Sequence, residues 1–487
     1  MSATDLWRWS ATPREAPVEP AGRPAALAGI ALLGALWGCV VAAAGINALY
    51  LCVSLVGCAF ILRDFRVGVV LLILLMPVSR SQIFPHALLG VTGLNPLNLL
   101  LAATLASCLF QALFDGSIRR FLPRPLLWLY LTPMLVAGLV GSRHVGDIAP
   151  GFYMFEALEF NDAPGYLREL LVKPALLVAF GLLVGAAVAR SEKPERFVMP
   201  TLISIWVMAA MVVVFTFLSG VGMGRLASST SREFLSPLGM HANELGRLYA
   251  FAYALLLFTW VEVKEAGLRL ALAVSMALIV VALLLTFSRG AFFGFIIVNV
   301  LFLCWRRDAR TLILFGLAAA VALLLLPDAV YHRVLHGTGE GWNAISAGRI
   351  DGIWLPLLPE VLRSPVYGNG LGSILWSDAM HRADGVTVLG VTHPHNAYLE
   401  CALDTGFAGL AAVCGYFVHV WRGFRRLSTD ASLSPRLRGF YTGAAAGLAG
   451  LLISGVADSS LMPRPEQAFL WLAIGMMYGE LDRRRGG

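Results

Sequence analysis

"LRLALAVSMALIVVALLLTFSRGAFFGFIIVNVLFLCWRR", Leu268 to Arg307, contains two long apolar runs separated only by Ser288, Arg289 and Gly290. A helix needs roughly 20 mostly apolar residues to cross the hydrocarbon of a bilayer, so this stretch is too long for one crossing and reads as two spans joined by a tight hairpin. Arg289 stands at the turn. An arginine at bilayer depth costs roughly 2.5–3.5 kcal/mol on insertion scales, less near the interface. Two readings remain open for it: snorkelling to lipid headgroups, or capture of an anion by a planar fork of donors that stays charged at any relevant pH.

The rest of the chain repeats the pattern. Of 487 residues 58% are hydrophobic and only 14% charged, with a mean hydropathy of +0.74, which excludes a soluble globular protein. The net charge of +7 does not indicate nucleic acid, because the arginines fall in short clusters between apolar runs and form no single basic face. All seven cysteines lie inside apolar segments, so they read as packing residues and not as a disulfide framework. The polar, proline-bearing stretch Met1 to Arg23 lacks a signal-peptide layout, and the first apolar run is expected to be a retained anchor.

Spans are expected near Ala25–Ala44, Leu49–Leu62, Val67–Val78, Leu97–Phe114, Leu126–Val140, Leu170–Ala189 and Phe197–Leu218. Further spans are expected near Glu244–Val261, Leu268–Phe287, Ala291–Trp305, Thr311–Leu326, Ala397–Val420, Phe440–Val456 and Gln467–Leu481. The fold class is therefore an all-α polytopic integral membrane protein of about fourteen transmembrane helices. A partly helical loop, Pro327 to Asn396, separates the eleventh and twelfth spans. Residues 1–23 read as a tail, 24–196 as N-terminal helices, 197–420 as a catalytic membrane domain that includes loop 327–396, and 421–487 as a helical hairpin with a basic end. Lysine and arginine clusters alternate between loops, and the positive-inside rule puts both termini in the cytoplasm and the long loop outside.

Outward-facing arginines are the exceptions to that rule and so the informative residues, among them Arg225, Arg232, Arg247, Arg289 and Arg349. Snorkelling is the competing account of Arg232 and Arg247. Almost all the histidines also fall on the outer side. His332 and His336 have the i, i+4 spacing of a metal pair, but without a nearby carboxylate or cysteine they read as a solvated turn. No Asp-X-Asp pair occurs in the chain, which favours chemistry without a metal or other cofactor. His393, His395 and Asn396 stand at the entrance of an apolar helix, where Asn396 is a good N-cap. His395 could there accept a proton from a hydroxyl, or it could merely complete a capping turn. Glu400 and Asp404 follow on one helix face. The glycines of "YGNGLG", Gly368, Gly370 and Gly372, could cradle an anion or simply form a turn.

These residues carry a resemblance. "HNAYLECALDTGFAG" resembles the signature of the O-antigen ligase family, a histidine and a polar residue followed, after nine variable positions, by Gly-X-X-Gly: here His395, Asn396, Gly406 and Gly409. "SRG" at Ser288–Gly290, "SPVYGNGLG" at Ser364–Gly372 and "GRLASSTSREFLSPLGMHANELGRL" from Gly224 are similar to other segments of that family. The resemblance implies a multi-pass glycosyltransferase of the bacterial inner membrane, with its active site facing the periplasm, that takes a glycan from undecaprenyl diphosphate without metal. Two arginines would hold the diphosphate and the histidine would act at the acceptor hydroxyl. Carried over, these are Arg289, Arg225 and His395, with Arg232 and Arg247 as alternatives for the second arginine and Asn396, Arg349 and His393 as further substrate-binding candidates. The acceptor could be lipid A-core, as for a ligase, a growing glycan, as for a polymerase of the same family, or a protein hydroxyl. Direct displacement would invert the anomeric centre. A lipid-linked sugar transporter or flippase is the reading from another class, although it would need ionisable residues along a path through the bilayer.

Overall fold

The structure, a computed structural model, describes residues 23–82, 84–116, 121–154, 158–220, 229–310, 312–313, 316–317, 341–381, 391–457 and 460–486. In chain order the helices are α1 (Arg23–Ala44), α2 (Ile46–Arg63), α3 (Phe65–Leu75) and α4 (Pro96–Phe114). Then come α5 (Arg124–Asp147), α6 (Ala163–Ala189) and α7 (Pro194–Leu218), followed by α8 (Ala242–Glu262), α9 (Ala266–Leu285) and α10 (Arg289–Arg306). A short α11 (Leu355–Arg363) precedes α12 (Ala397–Ser428), α13 (Pro435–Ser454) and α14 (Ala468–Gly486). Among the described residues nine helices are long and apolar enough to cross a membrane. The chain is a helical multi-pass membrane protein.

Every expected span falls on one of these helices except Thr311–Leu326, most of which lies outside the described residues. Some boundaries move. α3 has 11 residues, too few at 1.5 Å per residue for a full crossing. α12 runs for 32 residues, well past the expected end at Val420. The helix-like stretch Arg349 to Arg363 is one π turn, Ile350–Trp354, leading into α11.

The chain divides into two units, residues 1–56 with 85–96, and residues 57–84 with 97–487. The first contains α1, the start of α2 and a hairpin pairing Ala87 with Thr92 and Leu88 with Val91. Leu89 and Gly90, at the hairpin tip, both have positive φ, as a two-residue primed turn requires.

In the second unit two helix pairs approach closely through glycine. Helices in lipid gain little from hydrophobic burial, so close packing of small residues holds them together. α6 crosses α14 with Gly181 and Gly185 facing Gly475 and Gly479, and a Cβ on Gly475 would lie 2.0 Å from the carbonyl oxygen of Gly181. α13 lies along α8 through Gly439, Gly443 and Gly447, where a Cβ on Gly443 would lie 2.5 Å from the Ala254 carbonyl oxygen. α8 is the most enclosed of the spanning helices.

Gly475→Ala should force α6 and α14 apart and cost about 1–3 kcal/mol of stability as overpacking, seen as a lower unfolding temperature of the protein in detergent. Gly415→Ala, where an added Cβ meets nothing within 4 Å, should leave that temperature unchanged or slightly higher.

Candidate functional site

Asn396 starts α12 from an extended conformation, and its side-chain oxygen accepts the backbone N–H groups of Tyr398 and Leu399, both at 3.1 Å. Two otherwise unpaired donors of the first turn are thereby satisfied. The next donor, the Ala397 N–H, reaches the Gly455 carbonyl at 2.8 Å, tying the start of α12 to the end of α13. His395, just before the cap, has φ 53°. This left-handed conformation is costly for a residue with a Cβ and persists only where the surroundings enforce it. The Trp354 indole N–H, which donates to the Pro394 carbonyl at 2.8 Å, holds the chain on one side, and the Asn396 cap holds it on the other. The His393 and His395 rings pack with centroids 4.1 Å apart, and both residues are half-buried.

Arg289 occupies the first turn of α10. Phe287 bends the chain with φ 47°, and the Ser288 hydroxyl oxygen accepts the Ala291 N–H at 3.3 Å to cap the helix. Gly246 of α8 sits against this turn, where an added Cβ would lie 2.4 Å from that of Ala291. One residue on, Arg247 joins Gly290, Gly294 and Ser454 in lining a cavity of about 20 Å³ between α8, α10 and α13, room for about one water. Since Ser454 adjoins Gly455, which bonds α12, the N-terminal parts of α8, α10 and α12 all meet the end of α13. Each helix N-terminus carries the positive end of a helix dipole, so their convergence favours an anion.

Several arginines enter this end of the bundle, and each has a defined contact. Arg247 Nη2 donates to Glu466 Oε1 at 3.0 Å in a pair with almost no exposure. Arg464 Nη2 donates to Glu400 Oε1 at 2.6 Å. Burial of Arg464 works against its charge, but Glu400, Glu466 and Glu244 outweigh that and hold the guanidinium above its ordinary pKa. Arg349 donates to the Ala457 carbonyl, just beyond α13. Glu244 accepts the His241 N–H at 2.9 Å and closes the start of α8, while His241 Nδ1 accepts the Asn243 N–H. The second carboxylate oxygens of Glu400 and Glu466 are buried without a hydrogen-bond partner among the described residues.

The glycine loop has a different place from an anion cradle. α12 breaks at Gly406 (φ 68°, ψ 179°), and the segment after α11 fills the break. Asn369 and Gly370 donate to the Leu403 and Asp404 carbonyls at 2.9 and 3.0 Å, and Phe407 donates back to Pro365 at 2.6 Å. The buried Asp404 carboxylate accepts the N–H groups of Gly372 and Ser373 and the Ser373 hydroxyl. Gly368 and Gly406 allow the contact, since a Cβ on either would lie within 2.4 Å of the opposite backbone.

The structure thus brings His393, His395, Asn396, Arg247, Arg289 and Arg349 to the same end of the bundle. Arg225, His332 and His336 lie outside the described residues, and Arg232 falls in the 3-10 segment Ser229–Leu238. Arg464 and Glu466 were not among the residues singled out from sequence. Arg464 nevertheless sits between the last two expected spans, on the side that the charge rule makes anomalous.

Residues 274–414 match the O-antigen ligase family. The segment belongs to that family. It runs from within α9 to within α12, and includes Arg289, Arg349, His395, Asn396, Asp404 and Gly406. Arg247 and Arg464 come from helices and loops on either side of the matched O-antigen ligase segment. The match supports a role in glycosyl transfer of the ligase and polymerase kind by a membrane-embedded protein. No curated protein matches the chain.

Arg247→Ala should strand the Glu466 carboxylate, which is 2% exposed, and cost roughly 3–5 kcal/mol as the breaking of a buried pair. Arg247→Ala combined with Glu466→Gln should recover part of that loss. Denaturation of the purified proteins in detergent would measure both, and unchanged stability for the single variant would mean that the pair does not hold α8.

Proposed function

We propose that the protein transfers a glycan from undecaprenyl diphosphate to an acceptor hydroxyl at the periplasmic face of a bacterial inner membrane. What supports this reading is that the start of α10, which carries Arg289, and the start of α12, which follows His395, both lie against the end of α13, with both residues in the family-matched segment. A pyrophosphate leaving group gains negative charge as the glycosidic bond breaks. Donors already fixed where that charge develops lower the barrier more than mobile water can. Arg289 contributes a guanidinium fork and the first turns of α8, α10 and α12 contribute their dipoles.

His395 acts on the acceptor. A neutral imidazole takes the hydroxyl proton as the oxygen attacks the anomeric carbon, a contribution of typically 10²–10⁴-fold. The acceptor oxygen forms the new bond, the carrier diphosphate departs with the electrons of the old one, and a single displacement inverts the anomeric centre. The second phosphate-binding arginine is drawn from Arg225 and Arg232, with Arg247 engaged by Glu466. Arg349, Asn396 and His393 line the acceptor approach. The acceptor is lipid A-core for a ligase and a growing glycan for a polymerase.

Purified protein given lipid-linked glycan and each acceptor should yield either shifted core lipid or a ladder on the carrier. His395→Ala should lower transfer by at least about 100-fold without lowering the folded yield, and Arg289→Lys, which keeps the charge but loses the fork, should lower it as well. Wild-type rates in the His395 variant would remove the histidine from the chemistry. Movement of lipid across vesicles without covalent transfer would favour the flippase.

A further inference from the structure

A second and larger cavity lies at the other end of the bundle. His419 on its wall is 22 residues beyond Ala397 on α12, past the break at Gly406. The cavity encloses about 940 Å³ between the ends of α4, α6 and α14 and the start of α5, near the upper end of the range for small-molecule sites. It belongs to no part of the transfer reaction described above.

Its walls are amphipathic. Phe121, Leu122, Leu182 and Leu481 give it apolar sides, and Gly181, Gly185 and Ala186 leave the α6 wall without bulk. Four charged residues also line it: Asp115, Arg124, Arg190 and Asp482. Two of these satisfy one another, Arg190 Nη2 standing 2.8 Å from Asp115 Oδ2. Arg190 is further fixed by Phe65, over whose ring its guanidinium sits at 5.5 Å. The other two, Arg124 and Asp482, form no ion pair among the described residues, so the cavity presents one uncommitted charge of each sign.

The chain beside the lining shows what medium meets this region. Phe114, next to Asp115, is 90% exposed, and Trp128, one turn past Arg124, is 64% exposed. Large aromatic residues in that position on spanning helices belong at the boundary between acyl chains and headgroups. A ligand entering there comes from the membrane.

We propose that this cavity binds one membrane phospholipid with a zwitterionic phosphoethanolamine headgroup. Arg124 donates to the phosphate, Asp482 accepts from the primary ammonium, and the upper acyl chains lie against the apolar wall. A guanidinium fork suits phosphate oxygens. A carboxylate in the same cavity discriminates against lipids of net negative charge, which a purely basic pocket would prefer. A choline headgroup keeps its positive charge but has no N–H to donate to Asp482. Under the orientation proposed above, the lipid comes from the cytoplasmic leaflet.

Native mass spectrometry of the full-length protein, with dioleoyl phosphatidylethanolamine, phosphatidylcholine or phosphatidylglycerol added in turn, tests this. The expected result is one retained phosphatidylethanolamine, held about tenfold more than either other lipid. Arg124→Gln and Asp482→Asn should each lower that retention about tenfold. Ala186→Trp, which fills the cavity without altering its charges, should do the same. Unfolding temperature in the presence of phosphatidylethanolamine gives a second readout: it should rise for the wild type and not for the variants. Equal retention of the three lipids, a preference for phosphatidylglycerol, or retention unchanged in all the variants would overturn the proposal.

Discussion

The interruption of α12 at Gly406 is the constraint on which the His395 end of the bundle depends. A bilayer offers no water to an unpaired carbonyl or N–H, so a broken spanning helix must find partners within the protein. Here the segment Pro365–Ser373 supplies them on both sides of the break, and the Asp404 carboxylate binds the far end of that segment. The loop before α12 is thereby anchored to α12 itself. From that anchor α11 and the π turn Ile350–Trp354 are placed so that Trp354 reaches the Pro394 carbonyl. His395 inherits its left-handed backbone from these contacts, and the site owes its shape to a helix that stops and restarts.

Charge at this end of the bundle is abundant but arranged in pairs. Arg247 with Glu466 and Arg464 with Glu400 tie α8, α12 and the segment before α14 together. Buried pairs of this kind add little net stability over apolar packing, yet they are costly to break. Their effect is to set which helices adjoin, and with them where the first turns of α8, α10 and α12 point. At the opposite end the same economy appears in Arg190 and Asp115, while Arg124 and Asp482 are left for a ligand.

Much of the fold was legible because its signals are local. The hairpin around Ser288–Gly290 followed from the length of the two apolar runs, and the Asn396 cap from residue type alone. Arg289 stood out because the positive-inside rule makes an arginine at an outer hairpin an exception, and His395 because it directly precedes a helix N-cap. Other features depend on partners distant in sequence. Nothing within "YGNGLG" states that its backbone bonds to Leu403 and Asp404, and φ at His395 is set by Trp354 and Asn396 together. Glu466 and Arg464, within "RPEQ", resemble a plain turn until α8 and α12 are placed beside them. α3 starts two residues before its expected span and ends three residues short of it, because a run of apolar residues indicates burial without revealing where a helix ends.

In the proposed reaction labour is divided: the Arg289 end of α10 holds the donor and His395 acts only on the acceptor. Equilibrium binding of lipid-diphosphate-linked glycan to Arg289→Ala and His395→Ala proteins tests it most directly, with acceptor omitted. The arginine variant should lose at least about tenfold in donor affinity, and the histidine variant should keep near-native affinity. Equal losses in both, or full affinity without Arg289, would contradict that division.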